Sequence, residues 1–415
     1  MSSLDEYKIR AKEQMKRGDY GGAIRSITEA IESDRQNVTL YLTRGLAYYM
    51  RRDYDLAIED LTAALFLEPQ NLDALVARGN AFLQNGKVDD AMRDYDEFIN
   101  IAPNDPEAPY ARRAAAHASK GEMQAAINDY GRALEKTTDD KGKMYFSRAT
   151  LRYNIADYQG AIKDCTAALD NNYRAPEVYS ARGSAYVQLG LPDEALHDYS
   201  SAIELDLRDV MAFYNRGAVY YQQGNLDNAI RDFSRAVSLQ PDSASAYYAR
   251  AIAYADQQQW AKSRRDLTQV LKLQPNNAAA YHKRGTAYHQ RGKVDKALAD
   301  FLKAIDITPR SPAYYASLGE LHIDMNQLED AIAHLKRAVL MQDDAAAILS
   351  TRILAALAVA YYQDGDSESS RRYWNMVAER DMRYAEIDVL REKFGWTESL
   401  VSQAATMIAT IEAED

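Results

Sequence analysis

The sequence predicts an all-α solenoid, a stack of helical hairpins in which each hairpin packs mainly on its neighbours. Three observations lead there. A 34-residue pattern recurs along the chain, each copy holds two amphipathic helical segments, and each alternates small and large apolar residues at fixed places. The cleanest copy is residues 210–243, VMAFYNRGAVYYQQGNLDNAIRDFSRAVSLQPDS. Its first helix is expected over 210–223 and its second over 226–239, with Gly224-Asn225 breaking the pattern and Pro241 closing the unit. Small Gly217, Ala229 and Ala236 alternate with large Phe213, Tyr220 and Phe233. Two helices that cross closely need that alternation to fill the gap between them. One hairpin cannot bury both apolar faces, so it has to stack on copies of itself.

Composition is consistent with this. Hydrophobic residues make up 47% of the 415 and aromatics 10%, ample for a folded core. Thirty tyrosines stand against eight phenylalanines, which suits thin helical layers where a ring is buried and its hydroxyl reaches water or a carbonyl. The net charge of −11 and pI near 5.2 argue against a general role on nucleic acid, which calls for a basic face. The single cysteine, Cys165, allows no internal disulfide and fits a reducing compartment. The N-terminus is charged, with no apolar signal core, and no apolar run approaches the roughly 18 residues of a membrane span. The expectation is a soluble, cytoplasmic protein without a membrane role.

A small residue in the second helix sets the register: Ala23, Ala57, Ala91, Ala126, Ala161, Ala195, Ala229, Ser263, Ala297, Ala331 and Ser370. Successive spacings are 34 or 35 residues, except the last, which is 39. In the third unit the recurring positions are Leu75, Gly79, Phe82, Gly86, Ala91, Tyr95, Phe98 and Pro103; in the ninth they are Tyr281, Gly285, Tyr288, Gly292, Ala297, Phe301, Ala304 and Pro309. On these residues the chain resembles the tetratricopeptide repeat family over more than nine-tenths of its length. The resemblance implies a right-handed superhelix of about eleven helical hairpins, with first helices lining a concave groove and second helices forming the convex back.

The expected array is 4–379, with units near 4–37, 38–71, 72–106, 107–141, 142–175, 176–209, 210–243, 244–277, 278–311, 312–345 and 351–384. The first unit is degenerate at its exit, with Arg35 where proline is usual, and is expected to cap that end. Units four and five carry one extra residue each, near 103–109 and 137–142, in turns where insertions cost little. Pro106, Pro176 and Pro312 are expected at the first position of a new helix, where the missing N–H costs nothing. The stretch 340–347 adds about five residues, read as a longer helix or bent connection before a helix over 348–363. Residues 385–415 are expected to form two capping helices, near 384–393 and 397–412, joined by Phe394-Gly395-Trp396.

Comparing units with one another exposes a pairing. An arginine recurs in the first helix (Arg10, Arg44, Arg78, Arg113, Arg148, Arg182, Arg216, Arg250, Arg284) and an aspartate in the second (Asp60, Asp94, Asp129, Asp164, Asp198, Asp232, Asp266, Asp300). Units ten and eleven lose both together, to Leu318 and His334, then Leu357 and Tyr373; unit one keeps Arg10 but has Ser26. Joint retention and joint loss predict an Arg–Asp contact inside each of units two to nine.

If the groove follows the family, its floor falls one residue after the large position, two after the arginine, and at the two residues after the aromatic. Units six to nine then offer a strip that is aromatic and amide-rich with almost no fixed charge, including Ser180, Ser184, Ala218, Ile252 and Thr286. The binding residues expected are Tyr214, Tyr221, Gln222, Tyr248, His282, His289 and Gln290, holding an extended peptide or helix. A carboxylate clamp for Hsp70 or Hsp90 tails, which the family builds from Lys and Asn at groove positions, is not expected: Asn80 is suitably placed, but Val76 stands where Lys is needed.

Catalytic readings find no support. The six histidines form no HExxH or i, i+4 pair, and His282 and His289 lie about 10 Å apart along a helix, too far to share one ion. Cys165 takes a core slot, and no GxxxxGK[ST] phosphate loop occurs. The expectation is therefore a non-catalytic scaffold or adaptor, with no cofactor or metal, binding a protein or peptide. The alternatives are a structural subunit of a larger complex, docking by its convex face or C-terminal end, and a recruitment or regulatory subunit of a separate enzyme.

Overall fold

A computed structural model describes residues 3–105, 109–137, 141–341, 347–380 and 387–414. These residues form 24 helices and no strands. The chain forms two compact units, Met1–Leu207 and Arg208–Asp415.

In the first unit the helices are α1 (Ser3–Lys16), α2 (Tyr20–Ser33), α3 (Val38–Arg51), α4 (Tyr54–Leu67), α5 (Leu72–Gln84), α6 (Val88–Ile101), α7 (Tyr110–Ser119), α8 (Met123–Lys136), α9 (Lys141–Asn154), α10 (Tyr158–Asp170), α11 (Pro176–Gln188) and α12 (Pro192–Leu205). In the second they are α13 (Val210–Gln222), α14 (Leu226–Leu239), α15 (Ala244–Asp256), α16 (Trp260–Leu273), α17 (Ala278–His289), α18 (Val294–Ile307), α19 (Pro312–Asp324), α20 (Leu328–Leu340), α21 (Ala347–Asp364), α22 (Ser367–Arg380), α23 (Ile387–Phe394) and α24 (Glu398–Glu414). Each odd helix packs against the even helix that follows it, from α1/α2 to α21/α22. Each unit is thus an all-α solenoid of hairpins, the fold class the periodicity predicts.

Local chemistry sets the helix ends. Asp209, Asn225, Ser243 and Asn277 accept the first free backbone N–H groups of α13, α14, α15 and α17. Pro176 and Pro312 open α11 and α19 as expected, and Pro192 opens α12. Pro106 and residues 342–346 and 381–386 lie outside the described residues, so the expected helix start at Pro106 and most of the 340–347 connection do too. The helix expected over 384–393 is described from Ile387 to Phe394.

Within a hairpin the crossing is tight because a small residue faces a ring. A Cβ on Gly79 would sit 2.6 Å from the Tyr95 ring, and one on Gly285 would sit 2.7 Å from the Phe301 ring. Real Cβ atoms do not approach that closely, so glycine permits the crossing. Where Leu267 replaces the ring, Ala251 fits at the glycine position, and both are fully buried.

The Arg–Asp pairing is present in each of units two to nine. Arg44, Arg78, Arg113, Arg148 and Arg182 clasp Asp60, Asp94, Asp129, Asp164 and Asp198 through both Nε and an Nη, at 2.6–2.9 Å. In the second unit Arg216, Arg250 and Arg284 hold Asp232, Asp266 and Asp300 in the same bidentate way, at 2.7–3.0 Å. The carboxylates are buried and the guanidinium groups largely covered. A third donor reaches the preceding hairpin: Arg44 to Thr28, Arg182 to Thr166, Arg250 to Ser234 and Arg284 to Thr268. These arginines therefore fix both their own hairpin and its stacking on the previous one. Those hydroxyls recur two residues after the aspartate slot, a period visible in the sequence.

Where the pair is lost, leucine fills the arginine slot and the ring at the aspartate slot meets the ring of the first helix's aromatic position. His322 meets His334 edge-on at 5.1 Å, and Tyr361 stacks on Tyr373 at 5.6 Å with 7° between planes. Arg10, without an acid opposite, is exposed and lies over the Tyr7 ring.

Removing one partner of a buried bidentate pair leaves a charge without a counter-ion. Arg250→Ala or Asp266→Ala is expected to cost about 3–5 kcal/mol, and the double variant clearly less than the sum of the two. Denaturant unfolding of the three variants checks this; strictly additive losses would contradict the pairing.

Candidate binding groove

The concave side of each unit follows from which helices meet. Successive first helices touch (α3 with α5, α9 with α11, α13 with α15, α17 with α19, α19 with α21), whereas among the described residues no two second helices meet as extensively. A stack whose first helices crowd together curves with those helices inside.

In the second unit the expected site residues lie on first helices, with Gln290 just past the end of α17, and they differ in availability. Gln222 is exposed, and Tyr214, Tyr221 and Tyr248 are half-buried. Tyr214 leans on the Phe233 ring at 5.7 Å. Tyr221 donates its hydroxyl to Asp256 of the next first helix at 2.6 Å. Burial and that carboxylate push its phenol up to about 12.

His282 bonds Ser317 Oγ at 2.9 Å and packs on Tyr314 and Phe301. Desolvation, with Lys283 and Arg352 nearby, pushes its pKa down to about 3, so it is neutral at pH 7. His289 is buried, with Nε2 at 2.8 Å from Asp324 Oδ2. These links, like Tyr221–Asp256, join residues 35 apart and stitch neighbouring first helices together.

Gln290 has a partner distant in sequence. Its side-chain amide donates to the Gly395 carbonyl at 2.7 Å. Trp396 and Thr397 follow into the same face, with the indole N–H on Glu320 at 3.0 Å and the hydroxyl on Asp324 at 2.7 Å. α24 then lies against α19 and α21, burying Leu400, Val401, Ala404 and Met407 in one core with Tyr315, Ile323 and Leu357. His289 and Gln290 are therefore engaged by the chain itself.

The first unit keeps its inner face open. A cavity of about 510 Å³ is lined by Leu42, Leu46, Val76, Asn80, Arg112 and Lys136, among others. Leu46 is 38% exposed and Met50 52%. The floor offsets applied to units six to nine give Leu42, Leu46, Val76 and Asn80 when applied to units two and three, so the signal was present there too. Cys165 is buried, and burial pushes its thiol up to about 12, which fits a core residue rather than a nucleophile. No helix among the described residues is long and apolar enough to cross a membrane.

A depressed histidine pKa has a defined consequence for stability. Between pH 6.5, its ordinary value, and about 3, the unfolded chain binds a proton at His282 that the folded chain refuses. Its contribution is complete above pH 6.5 and drains as the pH falls. His322 and His334, also lowered by burial, act in the same direction. The drop in melting temperature from about pH 7 to about pH 5 is therefore expected to be shallower in His282→Gln than in the wild type; an unchanged slope would contradict the assignment.

Comparison with known proteins identifies the repeat. A family model described as a tetratricopeptide repeat matches residues 10–65, 42–109, 146–196 and 248–312, more than half of the chain, and a second matches 312–344. A model described as a TPR repeat matches 183–224 and 219–258. No curated protein matches. Among solved structures, the chain is similar to YrrB, described as a TPR protein with an unusual peptide-binding site, at 22% identity over 45% of this chain and 95% of that one, with a TM-score of 0.40. A tetratricopeptide repeat protein from Parabacteroides merdae shares 22% identity over 59% of this chain and 97% of that one, TM-score 0.45. A chain of the APC/C hetero-tetramer Cut9–Hcn1 shares 13% identity over 100% of this chain and 95% of that one, TM-score 0.46. The repeat register, the hairpin architecture and these family matches together make the chain a member of the tetratricopeptide repeat family.

Proposed function

We propose that the chain is a non-catalytic scaffold that holds a peptide or protein segment on its first-helix faces. The observation that carries this is the open inner floor: the apolar cavity around Leu46 and Val76 in one unit, and the strip of Tyr214, Tyr221, Gln222 and Tyr248 in the other. Rings and amides at helical spacing grip a segment by stacking and by bonds to its backbone. His282, His289 and Gln290 complete the strip where it meets the C-terminal segment. A buried, lone cysteine suits a reducing, cytoplasmic setting.

A second reading, a subunit that docks by its convex back or C-terminal end, has an observation of its own. Phe66 on α4 is 86% exposed and Leu340 at the end of α20 is 87% exposed, unusual for large apolar side chains on second helices.

Affinity capture from the source organism's lysate separates the two. Tyr214→Ala/Tyr248→Ala and Leu46→Asp are expected to lose the partner, in one variant or the other, while keeping wild-type helicity and melting temperature. Phe66→Ser and Leu340→Ser are expected to keep it. A partner retained by both groove variants and lost by the apolar-to-serine variants would move the function to the convex back.

A further inference from the structure

We infer that the floor formed by α17, α19 and α21 is a recognition site for an indole-bearing Gly-Trp-Thr segment, and that residues 394–397 of this chain are its built-in occupant. The inference rests on the groove reading above and names the ligand chemistry for one end of it.

Residues at the end of α17 and on α19 bond the tail directly, and α21 acts on it through Glu320. Gln290, just past α17, donates to the Gly395 carbonyl. On α19, Glu320 accepts the Trp396 indole N–H, and Asp324 accepts both the Thr397 hydroxyl and a His289 contact. Arg352 of α21 clasps Glu320 through Nε, at 2.6 Å, and through an Nη. Glu320 is 3% exposed and Trp396 4%. A carboxylate so buried is costly unless charge and lone pairs are met. Arg352 meets the charge, and the indole fills remaining acceptor capacity. Covering an open end of a solenoid needs only apolar side chains, which α24 supplies; it needs no buried acid aimed at an indole.

The acid is also out of pattern. Two residues after the arginine slot, units two to nine carry Leu46, Asn80, Ala115, Thr150, Ser184, Ala218, Ile252 and Thr286, all uncharged. Only unit ten places an acid there, and the indole rests on it. The tail is shaped to match. Gly395 takes φ +64, a backbone conformation open to glycine, and Thr397 accepts the Leu400 N–H at 3.2 Å while donating to Asp324. The fit leaves a cavity of only about 10 Å³. A partner segment presenting Trp before Thr or Ser in a tight turn would meet the same donors and acceptors, and would gain the site by displacing this chain's own tail.

The test uses the full-length protein and a fluorescein-labelled peptide of residues 392–403 as probe. A tethered occupant competes at an effective concentration in the millimolar range, so Trp396→Ala is expected to bind the peptide about a hundredfold more tightly than the wild type. Trp396→Phe, which keeps the ring but not the N–H, is expected to fall between them. A peptide with its Trp replaced by Ala is expected not to bind, and Glu320→Gln added to Trp396→Ala to weaken binding. Equal binding to all three proteins would overturn the self-occupied state. No binding to Trp396→Ala and Trp396→Phe, with both folded by circular dichroism, would overturn the site; should Trp396→Ala not fold, Trp396→Phe decides alone. Neither result touches Tyr214, Tyr248 or Leu46, whose role the capture experiment reads separately.

Discussion

A hairpin of two amphipathic helices cannot cover its own apolar faces, and everything else in this protein answers that constraint. Close crossing inside the hairpin is secured by Gly or Ala against a large side chain, as at Gly285 and Phe301. Stacking between hairpins is secured by an arginine that grips an aspartate of its own hairpin and, in most units, a hydroxyl of the one before, as Arg250 does with Asp266 and Ser234. The same guanidinium lies near the ring of Tyr247. One side chain thus sets both the angle within a unit and the register between units. An arginine suits this because its planar fork supplies several donors at fixed angles, which a lysine does not.

The price of a curved stack is an inner face that its own helices do not fill. Along that face the chain uses polar links between residues 35 apart, as in Tyr221–Asp256, His282–Ser317 and His289–Asp324. These links align neighbouring first helices and leave rings and amides half open. Near the C-terminal end the face is closed by α24 and by Trp396. In the first unit it stays open around Leu46 and Val76. The chemistry of the inner face therefore differs between the two units, from an apolar cavity rimmed by Arg112 and Lys136 in one to an acidic floor under an indole in the other.

Most of the fold was legible because repetition turns one sequence into many comparable ones. Helix bounds of 210–222 and 226–239 match the periodic reading to within a residue, and the Arg–Asp ladder followed from joint loss in units ten and eleven. Unit-to-unit comparison is silent on whatever happens once. The docking of Gly395, Trp396 and Thr397 on Gln290, Glu320 and Asp324 spans 73–105 residues of sequence and has no second copy to compare. For the same reason His289 and Gln290 read as open groove positions, although Asp324 holds the first and the Gly395 carbonyl the second. Leu42 and Leu46 fall at the same floor offsets in unit two, outside the units six to nine from which the expected strip is drawn.

The central claim is that partners are held by the inner, first-helix faces. The most direct measurement is site-specific photo-crosslinking with benzoylphenylalanine placed singly at Leu46, Tyr214 or Phe66, in otherwise wild-type full-length protein mixed with its native lysate. Adducts from Leu46 or Tyr214, and none from Phe66, are the result this structure predicts. Adducts from Phe66 alone would contradict it and assign binding to the convex back.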